Sequence, residues 1–258
     1  MLRALRTAAL GMSAQQTSVD NTANNLANAN TTGFKRANVV FQDLLYQSVQ
    51  RGGEGEQRPA AMQLGSGAAV VATQRTFLQG SLVQTGNSLD LAVNGEGFLQ
   101  ARRPDGSVVY TRDGSFTLDA DGRVVTQSGL ALEPDLEVPP ETQEIQIGSD
   151  GVVRVRLQNA PDTLEIGQID VARFSNPAGL RAIGGNFFEQ TGASGEPQIG
   201  PPGEGGSGII QQGFLESSNV DVVQEMVDLI TAQRAYEMNS KMVTTSEEML
   251  QIANSMKR

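Results

Sequence analysis

The sequence predicts an α+β protein in which long helices at the two ends of the chain flank a central, mainly antiparallel β domain. Apolar residues recur every three or four positions in residues 1–26 and again from residue 220 to the C-terminus, as in amphipathic helices. Between these regions, short runs of β-branched and aromatic residues alternate with Asp-Gly pairs, which favour tight turns. We therefore expect the terminal helices to pair in a coiled-coil-like manner.

The N-terminal helix is predicted by an apolar stripe followed by an asparagine-rich run. Asn competes with the helix for backbone hydrogen bonds and Gly suits a terminating residue, so the helix should end between Asn25 and Gly33. A second face carries small residues that would let another helix approach closely: Ala4, Ala8, Gly11 and Ala14. The stripe positions that we assign to an assembly interface are Leu2, Leu5, Met12, Val19 and Leu26.

The C-terminal helix is expected to begin at Val220, with Asn219 as its N-cap. Because no Gly or Pro follows Val220, the helix should continue almost unbroken to the C-terminus. The stripe positions that we assign to the assembly interface are Val220, Val223, Val227, Ile230, Met238, Met242, Met249 and Ile252. A second apolar row comprises Val222, Met226, Leu229 and Tyr236. This is more apolar surface than one N-terminal helix can cover, which favours a bundle of several chains. The alternative is a monomer whose two helices pack on the β region.

The middle of the chain is predicted to be a meander of hairpins. Positive φ angles at glycine suit tight hairpin turns, so we expect each Asp-Gly pair to close one. These pairs are Asp105-Gly106, Asp113-Gly114, Asp121-Gly122 and Asp150-Gly151. The predicted domains are a helical core domain (1–33 and 214–258), an arm or linker (34–80), a central β domain (81–190) and a Gly/Pro-rich return linker (191–213). Within the arm, 50–67 should be an exposed loop and 70–81 a strand.

Composition argues against several functions. The net charge is −10, with 29 acidic and 19 basic residues, and no basic stripe is present, so a nucleic-acid partner is not expected. The chain has no Cys and no His, which removes the commonest metal ligands and general base, and we expect neither metal nor cofactor. No apolar run is long enough to span a bilayer, and no cleavable signal peptide is expected.

A hydrolase with an acidic pair is the competing hypothesis. Asp119 could act with Asp121 or with Asp113, as paired carboxylates do in glycoside hydrolysis. Turn geometry already explains an Asp that precedes Gly. The hypothesis also leaves the two terminal stripes without a role, so we expect no catalytic residues and no enzymatic activity.

Three segments resemble the signatures of the bacterial flagellar rod and hook proteins. They are ANNLANANTTGFK at 23–35, SNVD at 218–221 and QRAYEMNSK at 233–241. The matching motif residues are Asn24, Asn25, Leu26, Ala27, Asn28, Gly33, Phe34, Arg234 and Tyr236. Segments 41–47, 94–98 and 110–116 are similar to the distal-rod branch of this family. A proximal-rod or hook paralogue is the alternative.

The resemblance implies a mechanical function. Such proteins polymerise with themselves into a hollow helical drive shaft that transmits torque and surrounds the export channel. The implied partners are further copies of the chain, proximal rod and hook-type proteins, the P and L ring proteins and the flagellar type III export apparatus. The implied location is the basal body, from the periplasm to the outer membrane, reached without a cleaved signal peptide. The segment from about residue 47 to 72 occupies the place of a rod-specific insertion that stiffens the rod.

Overall fold

The computed structural model describes residues 2–49, 62–158 and 163–256, and the chain divides into two compact units. The helical unit comprises residues 1–27, 37–75 and 221–258, and the β unit comprises residues 28–36 and 76–220. The structure thus groups residues 37–75 with the terminal helices, and residues 28–33 and 214–220 with the strands. Most of the loop expected at 50–67 lies outside the described residues.

The helical unit is built from two long helices and two β ribbons. The helices are α1 (Leu2–Ala27) and α2 (Val222–Ser255). The strands are β1 (Ala37–Asp43), β2 (Gln47–Val49), β3 (Met62–Leu64) and β4 (Ala68–Arg75). β1 pairs with β4 and β2 pairs with β3, both antiparallel. The end of α1 agrees with the asparagine-rich stop signal, whereas the ribbon strand β1 was not predicted.

The start of α2 differs from the expected one. Its N-cap is Asp221, whose carboxylate accepts hydrogen bonds from the amides of Val223 at 3.0 Å and Gln224 at 3.2 Å. The prediction that Asn219 caps the helix was therefore wrong, and Val220 lies before the helix. Both residue types cap helices well. The side chain of Asn219 is instead bound to backbone groups of the β unit.

The β unit contains the remaining strands of the described residues. They are β5 (Leu82–Gln84), β6 (Leu91–Asn94), β7 (Leu99–Arg102), β8 (Val108–Thr111), β9 (Phe116–Leu118), β10 (Val124–Thr126), β11 (Ala131–Leu132) and β12 (Thr142–Ile147). They continue with β13 (Val152–Leu157), β14 (Thr163–Gln168), β15 (Val171–Arg173), β16 (Arg181–Gly184), β17 (Phe187–Glu189), β18 (Gln198–Gly200), β19 (Ile209–Gln212) and β20 (Phe214–Glu216). A 3₁₀ turn, Pro177–Gly179, precedes β16.

The described strand pairs of the β unit are all antiparallel, as predicted. A seven-stranded sheet has the order β16-β17-β8-β7-β11-β10-β9, and a three-stranded sheet has the order β12-β13-β14. The ribbons are β15 with β18, β19 with β6 and β20 with β5. In β13, Val153 and Val155 are buried and alternate with less buried arginines, the pattern of a half-buried strand. The main core cluster includes Leu91, Leu99 and Ile169.

Three of the four Asp-Gly pairs connect neighbouring antiparallel strands, and their glycines have positive φ: Gly106, Gly122 and Gly151. The prediction for Asp113-Gly114 was wrong, because the flanking strands β8 and β9 are not neighbours in their sheet. Glycine is needed at position 114 for another reason. A Cβ there would lie 1.5 Å from the carbonyl oxygen of Leu91, so the two backbones could not approach.

The segment 191–213, expected to be a linker, contributes strands to the β unit. β18 pairs with β15 and β19 pairs with β6, so part of this segment is ordered by sheet pairing. The short strands of this segment were not predicted, because a high glycine content is typical of turns and loops and not of strands. Among the described residues, neither helix combines the length and the apolar composition needed to cross a membrane.

Candidate assembly surface

The two helices of the helical unit pack side by side and antiparallel. The Nδ2 of Asn25 donates to Oε2 of Glu225 at 3.2 Å, and a Cβ on Gly11 would lie 3.0 Å from Nδ2 of Asn239. The contact of Gly11 with Asn239 lies nearer the start of α1 and nearer the end of α2 than the contact of Asn25 with Glu225, so the helices run antiparallel. The helix pairing expected from the sequence is therefore present within one chain.

The buried side chains of the two helices are small or polar. On α1 the buried residues are Ala8, Ala14, Thr22 and Asn25. On α2 they are Glu225 and Ala232. The α1 face includes three of the small residues that were expected to allow close approach. Among the described residues, the stripe residues within α2 are exposed, so the structure does not confirm coiled-coil packing between the two apolar stripes.

The apolar stripe of α2 is exposed, and its N-terminal part lies on the opposite side of the helix from α1. Successive residues are about 100° apart around a helix, so Ile230 lies about 200° from the buried Ala232. Ile230 is 56% exposed and Val223 is 72% exposed. The exposed members of the predicted interface are Val223, Val227, Ile230, Met238, Met242, Met249 and Ile252. We call these seven residues the α2 stripe. Val220 lies outside the helix and is not part of it.

The predicted interface residues of α1 are partly buried in the single chain. Leu5, Met12, Val19 and Leu26 are half-buried, and the side chain of Leu2 lies outside the described residues. Neighbouring positions on α1 lie close to the residue that precedes β4, because a Cβ on Gly67 would lie 3.5 Å from Thr7 and 3.6 Å from Leu10. In the single chain, the larger exposed apolar surface therefore belongs to α2.

Several motif residues have local structural roles. Gly33 has a φ of +67°, and a Cβ there would lie 2.5 Å from the backbone nitrogen of Asp113. Phe34 is buried in the β unit. Asn28 accepts a hydrogen bond from the Thr31 amide, in the turn that follows α1. The other motif residues are Asn24, which is exposed, Ala27, which ends α1, and Arg234 and Tyr236, which are exposed on α2.

A buried cluster of charges in the β unit was not predicted from the sequence. The Nζ of Lys35 lies 2.6 Å from Oε1 of Glu216, and Nη1 of Arg112 lies 3.3 Å from Oε2 of the same carboxylate. The side chains of Lys35 and Glu216 are 0% exposed and that of Arg112 is 4% exposed. Burial lowers the pKa of Lys35 from its ordinary value of 10.5, although Glu216 acts in the opposite direction. Burial also lowers the pKa of Arg112.

Backbone groups complete the cluster. Lys35 also donates to the carbonyl of Leu78 at 2.7 Å, and the amide of Gly80 donates to Glu216 at 2.8 Å. Arg112 donates to the carbonyls of Val93 at 3.1 Å and Gly95 at 2.7 Å. These bonds replace the water that the charges lose on burial. The cluster thus joins segments that are far apart in the sequence.

Asn219 makes a second connection among the same segments of the β unit. Its Oδ1 accepts from the amide of Arg36 at 2.7 Å, and its Nδ2 donates to the carbonyls of Thr76 at 2.8 Å and Leu78 at 3.0 Å. Residues 36, 76 and 220 are the ends of the β unit's segments. The side-chain amide therefore holds these three ends together, which explains why the motif asparagine does not cap α2.

The acidic residues of the competing hydrolase hypothesis act as turn residues. Oδ1 of Asp113 accepts hydrogen bonds from the amide and hydroxyl of Ser115 and from the hydroxyl of Thr32. Oδ1 of Asp119 accepts from the amide of Ala120 at 2.7 Å. The described residues contain no group of three or more His, Cys, Asp or Glu side chains placed to hold a metal ion.

Comparison with known proteins identifies the family. Three family models match the chain: "Flagella basal body rod protein" at residues 5–35, "Flagellar hook protein FlgE/F/G D1 domain" at 92–155 and "Flagellar basal body rod FlgEFG protein C-terminal" at 211–256. Together they cover α1 and its motif, a large part of the β unit and α2.

Curated relatives match over the whole length. The flagellar basal-body rod protein FlgG of Borreliella burgdorferi is 48% identical over 100% of both chains. That of Agrobacterium fabrum is 46% identical over 98% of both. The solved hook protein FlgE2 of Helicobacter pylori is 17% identical over 61% of this chain and 47% of its own, with a TM-score of 0.25, which is too low to support a conclusion. The full-length identities establish that the chain belongs to the FlgG family of flagellar basal-body rod proteins.

Proposed function

We propose that the chain is a subunit of the distal part of the rod and assembles with itself into a hollow helical shaft through the α2 stripe. As a member of this family, the protein is a structural component of the flagellar basal body. The observation that supports self-assembly is the exposure of all seven residues of the α2 stripe in the single chain. The partly covered stripe of α1 is the proposed complement on a neighbouring subunit.

The physical argument is the cost of leaving this surface in water. Complete burial of one Ile, Val or Met side chain contributes about 1.5 to 3 kcal/mol. Seven such residues are exposed on one helix, and exposed apolar surface of this kind is typical of a site that binds another protein. When a patch on one copy binds a different patch on the next, the copies form an open helical filament, provided that the rotation between successive copies does not close a ring. We propose that coiled-coil packing forms between subunits in this way.

The remaining partners follow from the same proposal. A distal rod subunit would contact proximal rod and hook-type proteins at the ends of the shaft and the P and L ring proteins around it. The subunit would pass through the flagellar type III export apparatus without a cleaved signal peptide. The net charge of −10 suits an outer surface that turns inside a ring without adhering to it.

Electron microscopy of the purified full chain at increasing concentration tests this proposal. We expect rod-like filaments with a central channel above a threshold concentration, because every added subunit buries another α2 stripe. Closed dimers or small rings at all concentrations would contradict a helical shaft. A chain that stays monomeric at the highest soluble concentration would contradict self-assembly through this surface.

We also infer that the chain has no catalytic function. Asp113, Asp119, Asp121 and Asp150 are therefore expected to tolerate single replacement by Asn, since Asn also fits turn conformations and keeps an acceptor oxygen. Complementation of swimming in a strain that lacks this rod subunit measures the effect, and each variant should restore motility. Loss of motility in a variant that is exported and folded would instead support a catalytic carboxylate.

A further inference from the structure

We propose that Asn94 is a site of spontaneous deamidation, and that Gln79 slows this reaction in the folded chain. Asn94-Gly95 is the one Asn-Gly step in the sequence. An asparagine before glycine is especially prone to this reaction, because glycine has no side chain to shield its backbone nitrogen. Both residues are exposed, so water reaches them. The proposal concerns the single chain and does not depend on assembly.

The reaction proceeds through a cyclic imide. The backbone nitrogen of Gly95 gives up its proton to hydroxide and attacks the side-chain carbonyl carbon of Asn94. A bond forms between these two atoms, the bond from the same carbon to the amide nitrogen breaks, and that nitrogen takes up a proton and leaves as ammonia. Water then opens the ring at either carbonyl carbon. One opening gives aspartate, and the other gives isoaspartate, in which the main chain runs through the former side chain.

The fold requires glycine at position 95. Gly95 has a φ of +113°, in a region that residues with a side chain rarely adopt. A Cβ there would also lie 2.8 Å from the Cα of Gly208, where two backbone segments approach each other. A larger residue that would shield the nitrogen is therefore incompatible with this position. Protection of the labile step must come from another part of the chain.

The side chain of Gln79 contacts both reacting groups. Its Oε1 accepts a hydrogen bond at 3.1 Å from the amide of Gly95, which carries the attacking nitrogen. Its Nε2 makes longer contacts, at 3.3 Å with Oδ1 of Asn94 and at 3.4 Å with the carbonyl oxygen of Val93. The bond from the Gly95 amide favours the protonated nitrogen, which does not attack. The contact with Asn94 restrains the carbonyl group that would be attacked.

The backbone around Asn94 is held as well. Asn94 is the last residue of β6 and pairs with Ile209 of β19. Arg112 donates to the carbonyls of Val93 and Gly95, which lie on either side of Asn94. Ring closure requires rotation about the bond between the Cα and the carbonyl carbon of Asn94, and these contacts oppose it. The reaction therefore needs a local opening of this segment.

Formation of isoaspartate would disturb the buried charge cluster. It inserts an extra carbon atom into the main chain between the carbonyls of Val93 and Gly95, which both accept from Arg112. Arg112 is 4% exposed and is paired with Glu216. A lost carbonyl contact would leave part of a buried cation without an acceptor, which destabilises the β unit. Gln79 thus protects an exposed segment whose modification would reach the core.

Peptide mapping of the full chain by mass spectrometry tests this proposal. The chain is incubated in mildly alkaline buffer, where the attacking nitrogen loses its proton more readily, and aspartate and isoaspartate at position 94 are measured over time. The same chain unfolded in guanidinium chloride gives the unprotected rate. The folded chain should react more slowly and yield both products. Equal rates in the two states would overturn the proposal, and so would aspartate without isoaspartate, which indicates direct hydrolysis.

Gln79→Ala is expected to raise the rate at Asn94 in the folded chain about fivefold, because it removes the hydrogen bond that holds the Gly95 amide. The matched control is Gln190→Ala, which removes an exposed glutamine of the β unit and should leave the rate unchanged. Gln79→Glu keeps an acceptor for the amide and should retain most of the protection. An unchanged rate in Gln79→Ala would overturn the proposal, as would a rate in Gln79→Glu as high as in Gln79→Ala.

Asn87 provides an internal reference for a general loosening of the β unit. It is exposed, precedes Ser88 and donates from Nδ2 to Oδ1 of Asp90 at 3.0 Å. An Asn-Ser step reacts by the same route, so the same peptide map measures it. Its rate should be the same in Gln79→Ala as in the natural chain. An equal rise at Asn87 and Asn94 would show that the substitution opens the whole region, and would overturn the specific role of Gln79.

Discussion

Ile230→Asp is expected to abolish assembly of the rod and to leave the β unit folded. Ile230 lies at the centre of the α2 stripe, where a carboxylate buried without a partner would cost several kcal/mol. The same cost recurs in every subunit of the polymer. The side chain is 56% exposed in the single chain, so the charge is solvated until a neighbour arrives. Filament formation and complementation of motility measure assembly, and hydrogen exchange of the strands measures folding of the β unit.

Two controls isolate the effect of the buried charge. Ile230→Leu keeps an apolar side chain of similar volume and should assemble. Glu247→Lys changes the charge at an exposed position outside the α2 stripe, where single ion pairs are worth about 0 to 1 kcal/mol, and should also assemble. Normal filaments from Ile230→Asp would exclude the α2 stripe as the polymer contact. Increased exchange throughout the β unit would show that α2 belongs to one cooperative core with the strands.

The helices could be predicted because their signals are local. Three-four spacing, an asparagine-rich stop and the absence of Gly or Pro after Val220 are all read within one segment. Which helix face contacts its neighbour in the chain was harder to predict. The prediction placed the contact on the larger apolar residues, whereas the close approach occurs at Gly11, in the row of small residues. An apolar stripe indicates what must eventually be covered and does not indicate whether the same chain covers it.

The polar contacts could not be predicted because their partners are distant in the sequence. Lys35 and Glu216 are separated by 181 positions, and Arg112 and Glu216 by 104. The periodicity of one segment carries no information about such pairs. Asn219 and Asp221 show the same limit over a short distance. Both are good N-caps, and only the tertiary partners of Asn219 decide that Asp221 begins the helix.

Glu216→Gln is expected to lower the free energy of unfolding of the β unit by about 3 to 5 kcal/mol, because removing one partner leaves buried charges uncompensated. Here the loss would leave both Lys35 and Arg112 without their shared carboxylate, in a site where Glu216 is 0% exposed. Urea unfolding of the full chain, with hydrogen exchange reporting on the strands, measures the change. The control Glu189→Gln removes the carboxylate of an exposed pair with Arg181 and should have little effect.

A second substitution separates charge from shape at this site. Adding Lys35→Met to Glu216→Gln removes one of the two buried cations that have lost the carboxylate of Glu216. The double variant should therefore be more stable than Glu216→Gln alone. The non-additivity in this double-mutant cycle is the coupling between the two side chains. If Glu216→Gln unfolds at the wild-type urea concentration, the cluster contributes no net stability. If the double variant is less stable than the sum of the single effects predicts, packing around Lys35 matters more than its charge. The expected rescue would instead show that the carboxylate of Glu216 is what allows Lys35 and Arg112 to be buried where the segments of the β unit meet.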